Sequence, residues 1–191
     1  MIDIIIPTCK TEEEIRPLLD GIDIYSTGEY DVIIASAPQC SAAENRNAGL
    51  DLSEAPYVIM MDDDITNLCP GWNEDLIREL KLQKDVSIVS ARLMKDESTP
   101  GPTMANNYNL ESPFIYIQKT PTACIAFRKT DIRFDENFKG SGFEDDDFCR
   151  RMGGKIIIDN RVKVIHKNEM KNQRENWKHN KEYFESKWGV L

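Results

Sequence analysis

At residues 57–65 the chain reads YVIMMDDDI, an apolar run followed directly by three carboxylates. Such a run is typical of a buried strand. Three carboxylates at its end repel one another and lose hydration, unless a cation neutralises them. Oxygen ligands of this kind suit Mg²⁺ or Mn²⁺, which also bind phosphate oxygens. The stretch therefore predicts a metal site and a phosphorylated ligand. The alternative is a solvated acidic turn in which Asp62 caps the next helix.

Apolar periodicity on both sides of this stretch alternates between strand and helix patterns. Strand patterns occupy residues 2–6, 32–35, 58–61 and 86–93, and helix patterns occupy residues 12–19, 42–52 and 70–82. This order predicts an α/β fold: a Rossmann-like, mainly parallel sheet flanked by helices, in a single domain. Ligands of such sheets bind beyond the carboxyl ends of the strands, where Pro7, Thr8 and the three carboxylates all fall.

A second acid cluster, EDDD at residues 144–147, lies between glycine pairs that delimit a short helix. The helix dipole favours acids in its first turn, which accounts for two of them. Four consecutive acids repel one another, and a carboxylate whose pKa is raised in this way is a candidate general base. Two further strands are predicted at 156–158 and 162–165, and the second ends at His166. Taken alone, a histidine at a strand end is more often a packing or surface residue than a ligand.

Composition places few limits on function. The 191 residues are 40% hydrophobic and 30% charged, which is ordinary for a globular protein. The longest apolar runs are far shorter than the ~20 residues that span a bilayer, and no signal-peptide pattern opens the chain. We therefore expect a cytoplasmic protein without membrane insertion.

The C-terminal segment differs in charge from the rest of the chain. Residues 1–160 hold 16 basic and 29 acidic residues, whereas residues 161–191 hold eight and four, and the whole chain has a net charge of −9. Residues 167–191 predict an amphipathic helix with Trp177, Phe184 and Trp188 on one face, beside several lysines. We expect it to pack on the domain formed by residues 1–166 or in a homodimer. Interleaved basic and aromatic residues could instead contact DNA, although the net charge opposes this.

Taken in order, these segments resemble the family 2 glycosyltransferases and their GT-A-fold relatives, from about residue 2 to residue 166. The matching segments are IIIPT at 4–8, ENRNAG at 44–49, DDD at 62–64 in the place of a DxD motif, FDENF at 134–138, ED at 144–145 and VIH at 164–166. The resemblance implies a hexosyltransferase-like enzyme that uses Mn²⁺ or Mg²⁺. Such an enzyme would move a sugar from a nucleoside-diphosphate sugar to an acceptor hydroxyl, with inversion.

The resemblance also implies a role for individual residues. The implied donor-binding residues are Pro7, Thr8, Arg46, Asn47, Asp62 and Asp63. The implied metal ligands are Asp64 and His166, with Asp63 as the competing assignment for Asp64. The implied general base belongs to the pair Glu144 and Asp145, and Asp145 is the preferred member.

One departure from the family pattern concerns the nucleobase. Family members usually carry an acid after the second strand, whereas this chain reads ASAP at residues 35–38. Ser36 or a backbone group would have to replace that acid, which leaves the identity of the nucleobase open. A UDP-sugar is the first candidate for the donor, and the acceptor is a glycan, a protein or a modified base in DNA.

Two other classes of protein remain as alternatives. A non-catalytic module that binds sugar nucleotides or glycans could keep the metal-binding acids but would not need the second acid cluster. A nucleotidyltransferase would also use acids and a metal, but it normally has a glycine-rich phosphate loop after the first strand. Residues 7–11, PTCKT, contain no glycine.

Overall fold

The computed structural model describes residues 1–36, 41–101, 111–167 and 174–189. Strands and helices alternate along most of the chain, as the periodicity predicts. In chain order the elements are β1 (Ile2–Thr8), α1 (Arg16–Tyr25), β2 (Tyr30–Ser36), α2 (Ala42–Leu52), β3 (Tyr57–Met61), β4 (Ile65–Thr66), α3 (Trp72–Leu82), β5 (Val86–Met94), β6 (Phe114–Ile117), β7 (Cys124–Arg128), α4 (Glu144–Met152), β8 (Lys155–His166) and α5 (Arg174–Trp188).

The strands form one sheet in the order β2-β1-β3-β7-β5-β8-β4, with β6 also paired to β8. Strands β1, β2, β3, β5 and β8 run in one direction, and β4, β6 and β7 run against them. The sheet is therefore mainly parallel in strand direction, and β7 interrupts the parallel set between β3 and β5. Among the described residues, none of the five helices offers an apolar stretch long enough to cross a bilayer.

Helices cover both faces of the sheet. Side chains of β1 alternate between the faces, so that Ile4 packs with α1 and α3 while Ile5 packs with α2 and α4. Both residues are fully buried. Burial on both faces explains why Ile4–Ile6 of β1 and all of β3 read as continuous apolar runs rather than as alternating ones.

Local sequence signals explain how α2 is placed. Ser41 and Glu44 form a reciprocal capping box at its start, with the Ser41 amide donating to Glu44 Oε2 at 2.6 Å. A Cβ atom at Gly49 would lie 2.2 Å from Ile5 Cγ2, so this glycine allows α2 to approach β1 closely. The predicted helix at residues 42–52 is confirmed with both of its ends.

Several predicted element bounds were wrong. The helix predicted at 12–19 begins instead at Arg16, because Pro17 suits the first turn of a helix and residues 12–15 form a turn. The strands predicted at 156–158 and 162–165 are one strand, β8, whose pairing with β5 shifts register after Asp159. Strands β4, β6 and β7 were not predicted, because they are short and pair only with strands distant in sequence.

Candidate functional site

The chain turns sharply after β3, where the first acid cluster (Asp62, Asp63 and Asp64) lies. The Asp62 amide donates to the carbonyl of Ala123 at 2.8 Å. Three residues after Asp62 the chain forms β4, which pairs with the end of β8 so that Ile65 lies opposite His166. This short antiparallel pairing brings the first acid cluster beside a histidine that is far away in sequence.

The imidazole of His166 contacts two of these carboxylates. Its Nε2 atom lies 3.1 Å from Asp64 Oδ1 and 3.7 Å from Asp62 Oδ2. Burial lowers the pKa of His166, but the hydrogen bond to Asp64 and the charges of Asp64 and Asp62 outweigh it, so the pKa is raised above its ordinary value. One ligand atom from each of the three residues lies within 4.8 Å of the others.

The chemistry of this donor set fits a divalent cation. Two carboxylates and one imidazole suit Mn²⁺, whereas Mg²⁺ prefers a shell made only of oxygen atoms. All three side chains are only partly exposed. Three protein ligands leave further coordination positions for water or phosphate oxygens.

Asp63, the middle acid of the cluster, points to a different place. It accepts hydrogen bonds from the Thr8 hydroxyl and from Lys10 Nζ, the latter at 3.0 Å. The Lys10 amide in turn donates to Thr8 Oγ1 at 2.9 Å. The structure thus brings Asp62 and Asp64 together with His166, and it places Asp63 against the loop that follows β1.

Arg46 of α2 joins the two acid clusters. Its guanidinium lies 3.2 Å from Asp62, 3.2 Å from Glu144 and 3.3 Å from Asp145, and only 7% of its side chain is exposed. Burial lowers the pKa of Arg46, but the charges of the three carboxylates outweigh it and raise the pKa. Arg46 thus holds a carboxylate from the turn after β3 and two from α4 within one site.

Glu144 is the buried member of the second acid cluster. Besides Arg46 it accepts a hydrogen bond from the Gly142 amide, and the residue is 2% exposed. Burial and the charge of Asp145 raise the pKa of Glu144 to about 7, although Arg46 opposes them. Glu144 therefore has little access to a ligand.

The other three carboxylates of this cluster face different partners. Asp145 accepts hydrogen bonds from Arg46 and from the Thr122 hydroxyl, and 19% of its side chain is exposed. Asp146 pairs with Lys119 at 2.6 Å. Asp147 is fully buried and pairs with Arg151 at 2.7 Å and with Lys187 of α5 at 2.7 Å. Within this cluster, only Asp145 combines contact with Arg46 and access to solvent.

Two predicted donor-binding residues lie apart from this group. Asn47 donates to the Phe134 carbonyl at 2.9 Å and accepts from the Phe134 amide at 2.7 Å, and it also donates to Glu136. These bonds tie α2 to the loop before α4. Pro7 lies within β1 opposite Ala35, one residue before Thr8. The side chain of Ser36 and residues 37–40 lie outside the described residues.

Sequence reasoning missed Lys10 and Thr122 as members of the site. Lys10 neutralises Asp63, and Thr122 donates to Asp145 from the segment just before β7. No local pattern marks either residue. Because β7 pairs with β3, Thr122 lies next to α4 and contacts Asp145.

Comparison with known proteins identifies the fold. No protein-family model matches the sequence, and no curated protein matches it. Among solved structures, S. aureus TarS 1–349 in complex with UDP superposes with a TM-score of 0.61 at 16% identity, over 86% of this chain and 60% of that one. A longer S. aureus TarS structure gives a TM-score of 0.56 at 17% identity, over 82% of this chain and 34% of that one. A197 from STIV gives a TM-score of 0.59 at 14% identity, over 86% of this chain and 84% of that one.

These similarities confirm the predicted fold class, a GT-A type α/β domain with helices on both faces of its sheet. This chain spans about a third of the longer TarS chain and three fifths of TarS 1–349. At such low identities the comparison concerns the fold alone.

Proposed function

We propose that this chain is a glycosyltransferase that transfers a sugar from a nucleoside-diphosphate sugar to an acceptor hydroxyl, with the help of Mn²⁺ or Mg²⁺. The observation that carries the proposal is the convergence of both acid clusters on Arg46, beside His166, at the carboxyl end of β3. A non-catalytic binding module would not need an accessible carboxylate at Asp145.

The donor would bind between the first acid cluster and the loop after β1. Asp64 and His166 would hold the divalent cation, with Asp62 in reach of both the cation and the donor. When bound, the cation supplies positive charge to the diphosphate that leaves. The UDP in the structure of TarS 1–349 supports a UDP-sugar as donor, since that protein shares the fold.

Asp145 is the proposed general base. It would take the proton from an acceptor hydroxyl while the acceptor oxygen forms a bond to the anomeric carbon and the bond from that carbon to the diphosphate oxygen breaks. A single displacement of this kind inverts the configuration. Arg46 and Thr122 fix the orientation of the Asp145 carboxylate, which positions it before the acceptor arrives.

Calorimetry with UDP, in the presence and absence of Mn²⁺, tests the donor site. We expect saturable binding of UDP that needs the metal, together with slow Mn²⁺-dependent hydrolysis of at least one UDP-sugar from a panel. GDP and ADP serve as controls for the nucleobase. Binding without hydrolysis or transfer would favour the non-catalytic module, and release of pyrophosphate from a nucleoside triphosphate would favour a nucleotidyltransferase.

A further inference from the structure

Strand β2 lies at one edge of the sheet, and within the described residues no strand lies on its outer side. All seven of its residues pair with β1 in one parallel register. About half of the backbone N–H and C=O groups of such a strand point away from its neighbour. The outer side of β2 therefore offers another strand a row of hydrogen-bond donors and acceptors about 23 Å long.

Two apolar side chains of β2 are exposed on one face of the sheet. Val32 lies opposite Ile4 of β1, and Ile34 lies opposite Ile6. Directly opposite residues share a face, yet Ile4 and Ile6 are fully buried whereas Val32 is 38% and Ile34 is 37% exposed. On this face, the helical cover of the sheet therefore ends between β1 and β2.

The opposite face of β2 is covered by α2. Ile33 packs against the same core as Ala43 and Leu50 of that helix, and Ala35 is buried. A Cβ atom built on Gly49 of α2 would lie 3.3 Å from Ala35 Cβ. Because α2 holds β2 in its extended form, a second strand can pair with it at a low cost in conformational entropy.

In the part of the chain that the structure describes, β2 lacks the features that usually prevent two edge strands from pairing. Such features include a lysine or a proline within the strand and a β-bulge. The strand reads YDVIIAS, and its register with β1 is continuous. Its one charged residue is Asp31. A long, regular and largely apolar edge of this kind favours pairing with another strand.

We propose that two copies of this chain pair through their β2 strands, antiparallel and centred on Ile33, so that both sheets join into one. This inference does not depend on the proposed transferase function. In this register every residue of each β2 strand lies opposite a residue of the other. Val32 of each copy then lies opposite Ile34 of the second copy, so the exposed apolar side chains pack against each other. The two-fold axis makes the interface the same surface on both copies.

The position of Asp31 favours this register over its two-fold alternatives. An axis at Asp31 would place the two carboxylates directly opposite each other, and an axis at Val32 would leave them two residues apart. An axis at Ile33 separates them by about 13 Å along the strands, which exceeds the Debye length of ~8 Å at physiological ionic strength. An axis at Ile34 also separates them, but it pairs only residues 32–36.

The strength of the dimer follows from these contacts and from the charge of the chain. A single strand pair forms a small interface, so we expect a dissociation constant on the order of 10 µM. Each copy has a net charge of −9, which opposes association. Because the contacts themselves are apolar side chains and backbone groups, added salt should strengthen the dimer by screening that repulsion. A dimer that weakens as salt is added would overturn the inference.

Analytical ultracentrifugation of the full chain at ~1–200 µM tests the pairing. Val32→Asp and Ile34→Lys should each raise the dissociation constant ~10-fold or more, because each places a charge opposite an apolar side chain. The double variant Val32→Asp/Ile34→Lys places opposite charges across the interface and should recover part of this loss. Leu82→Lys is the control, because Leu82 is 70% exposed at the end of α3, which packs on β5 and β7.

Thermal denaturation checks that the variants fold, which we expect because both substituted side chains lie outside the core. A chain that stays monomeric up to ~200 µM would overturn the inference. Dimers that persist in both single variants, or that weaken equally in Leu82→Lys, would show that the contact lies elsewhere on the molecule. Loss of the dimer in both single variants without recovery in the double variant would refute the register centred on Ile33.

Discussion

Arg46 is the residue on which both acid clusters depend. A guanidinium with three carboxylates around it offsets like-charge repulsion that would otherwise drive Asp62, Glu144 and Asp145 apart. The resemblance to family 2 enzymes assigned Arg46 to the donor. Its contacts with Asp145 and Asp62 indicate that it also orients the proposed base relative to the first acid cluster.

Asp145→Asn tests the proposed base. The amide keeps the size of the side chain and its contact with Thr122 but removes its basicity, so turnover at saturating donor should fall ~10²-fold or more, while the affinity for UDP stays near normal. Glu144→Gln is the matched comparison, because this neighbour is buried and cannot reach an acceptor. A larger loss of turnover in Glu144→Gln than in Asp145→Asn would assign the general base to Glu144 instead.

Asp64→Ala and His166→Ala test the proposed metal ligands. Each side chain lies at the end of a strand and supports little of the core, so the fold should persist. We expect each variant to lose the Mn²⁺-dependent rise in melting temperature that UDP causes. Asp63→Ala serves as the comparison, because Asp63 contacts Thr8 and Lys10, and it should keep more of the metal dependence. Equal losses of metal dependence in all three variants would indicate that Asp63 also binds the metal.

At the scale of elements, α4 shows how four consecutive acids are accommodated in one helix. Successive residues on a helix differ by about 100° in direction, so neighbouring side chains reach different partners. Asp147 faces α5, where Lys187 and the indole N–H of Trp188 meet it, and Arg151 follows one turn later. Arg151 lies four residues after Asp147, so their ion pair also supports α4 itself. These bonds fasten α5 to the helix that carries the proposed base.

Asp147→Asn should therefore destabilise the fold rather than the chemical step. Removal of this buried negative charge leaves Arg151 without its carboxylate partner and Lys187 with Asp135 alone, which should lower the free energy of unfolding by ~3 kcal/mol. Asp51→Asn is the control, because Asp51 pairs with Arg133 with 66% of its side chain exposed, and its loss should cost at most ~1 kcal/mol. Urea denaturation of both variants gives the comparison. Equal losses would mean that the buried pair adds nothing to the docking of α5.

At the scale of the whole molecule, stability should depend on pH through Glu144. Its pKa is raised to about 7 in the folded state, first because burial disfavours its charged form and then because Asp145 lies beside it. Because this pKa is raised, Glu144 keeps its proton in the folded state at pH values at which the unfolded chain has already lost it. The contribution to stability is therefore complete below the unfolded value and is lost as the pH rises to about 7.

Glu144→Gln isolates this effect, because glutamine does not titrate. In metal-free buffer, the stability of the native chain relative to this variant should fall by about 1–3 kcal/mol between pH 5 and pH 8. Chemical denaturation at several pH values measures it. A constant difference across this range would show that Glu144 keeps an ordinary pKa.

The sequence by itself determined the alternation of strands and helices, the class of the fold and the position of the acids after β3. It could do so because hydrophobic periodicity is a local signal. The capping box of Ser41 with Glu44 is local in the same sense, and so is the glycine at position 49. Only the tertiary structure decided that β7 inserts between β3 and β5, that Asp63 turns to Lys10 and that Asn47 binds the backbone of Phe134. It also decided that Lys187 and Trp188 fasten α5 to α4 at Asp147. Each of these depends on contacts between residues far apart in the chain, whose partners are selected by the shape and charge of the assembled sheet rather than by any neighbour in sequence.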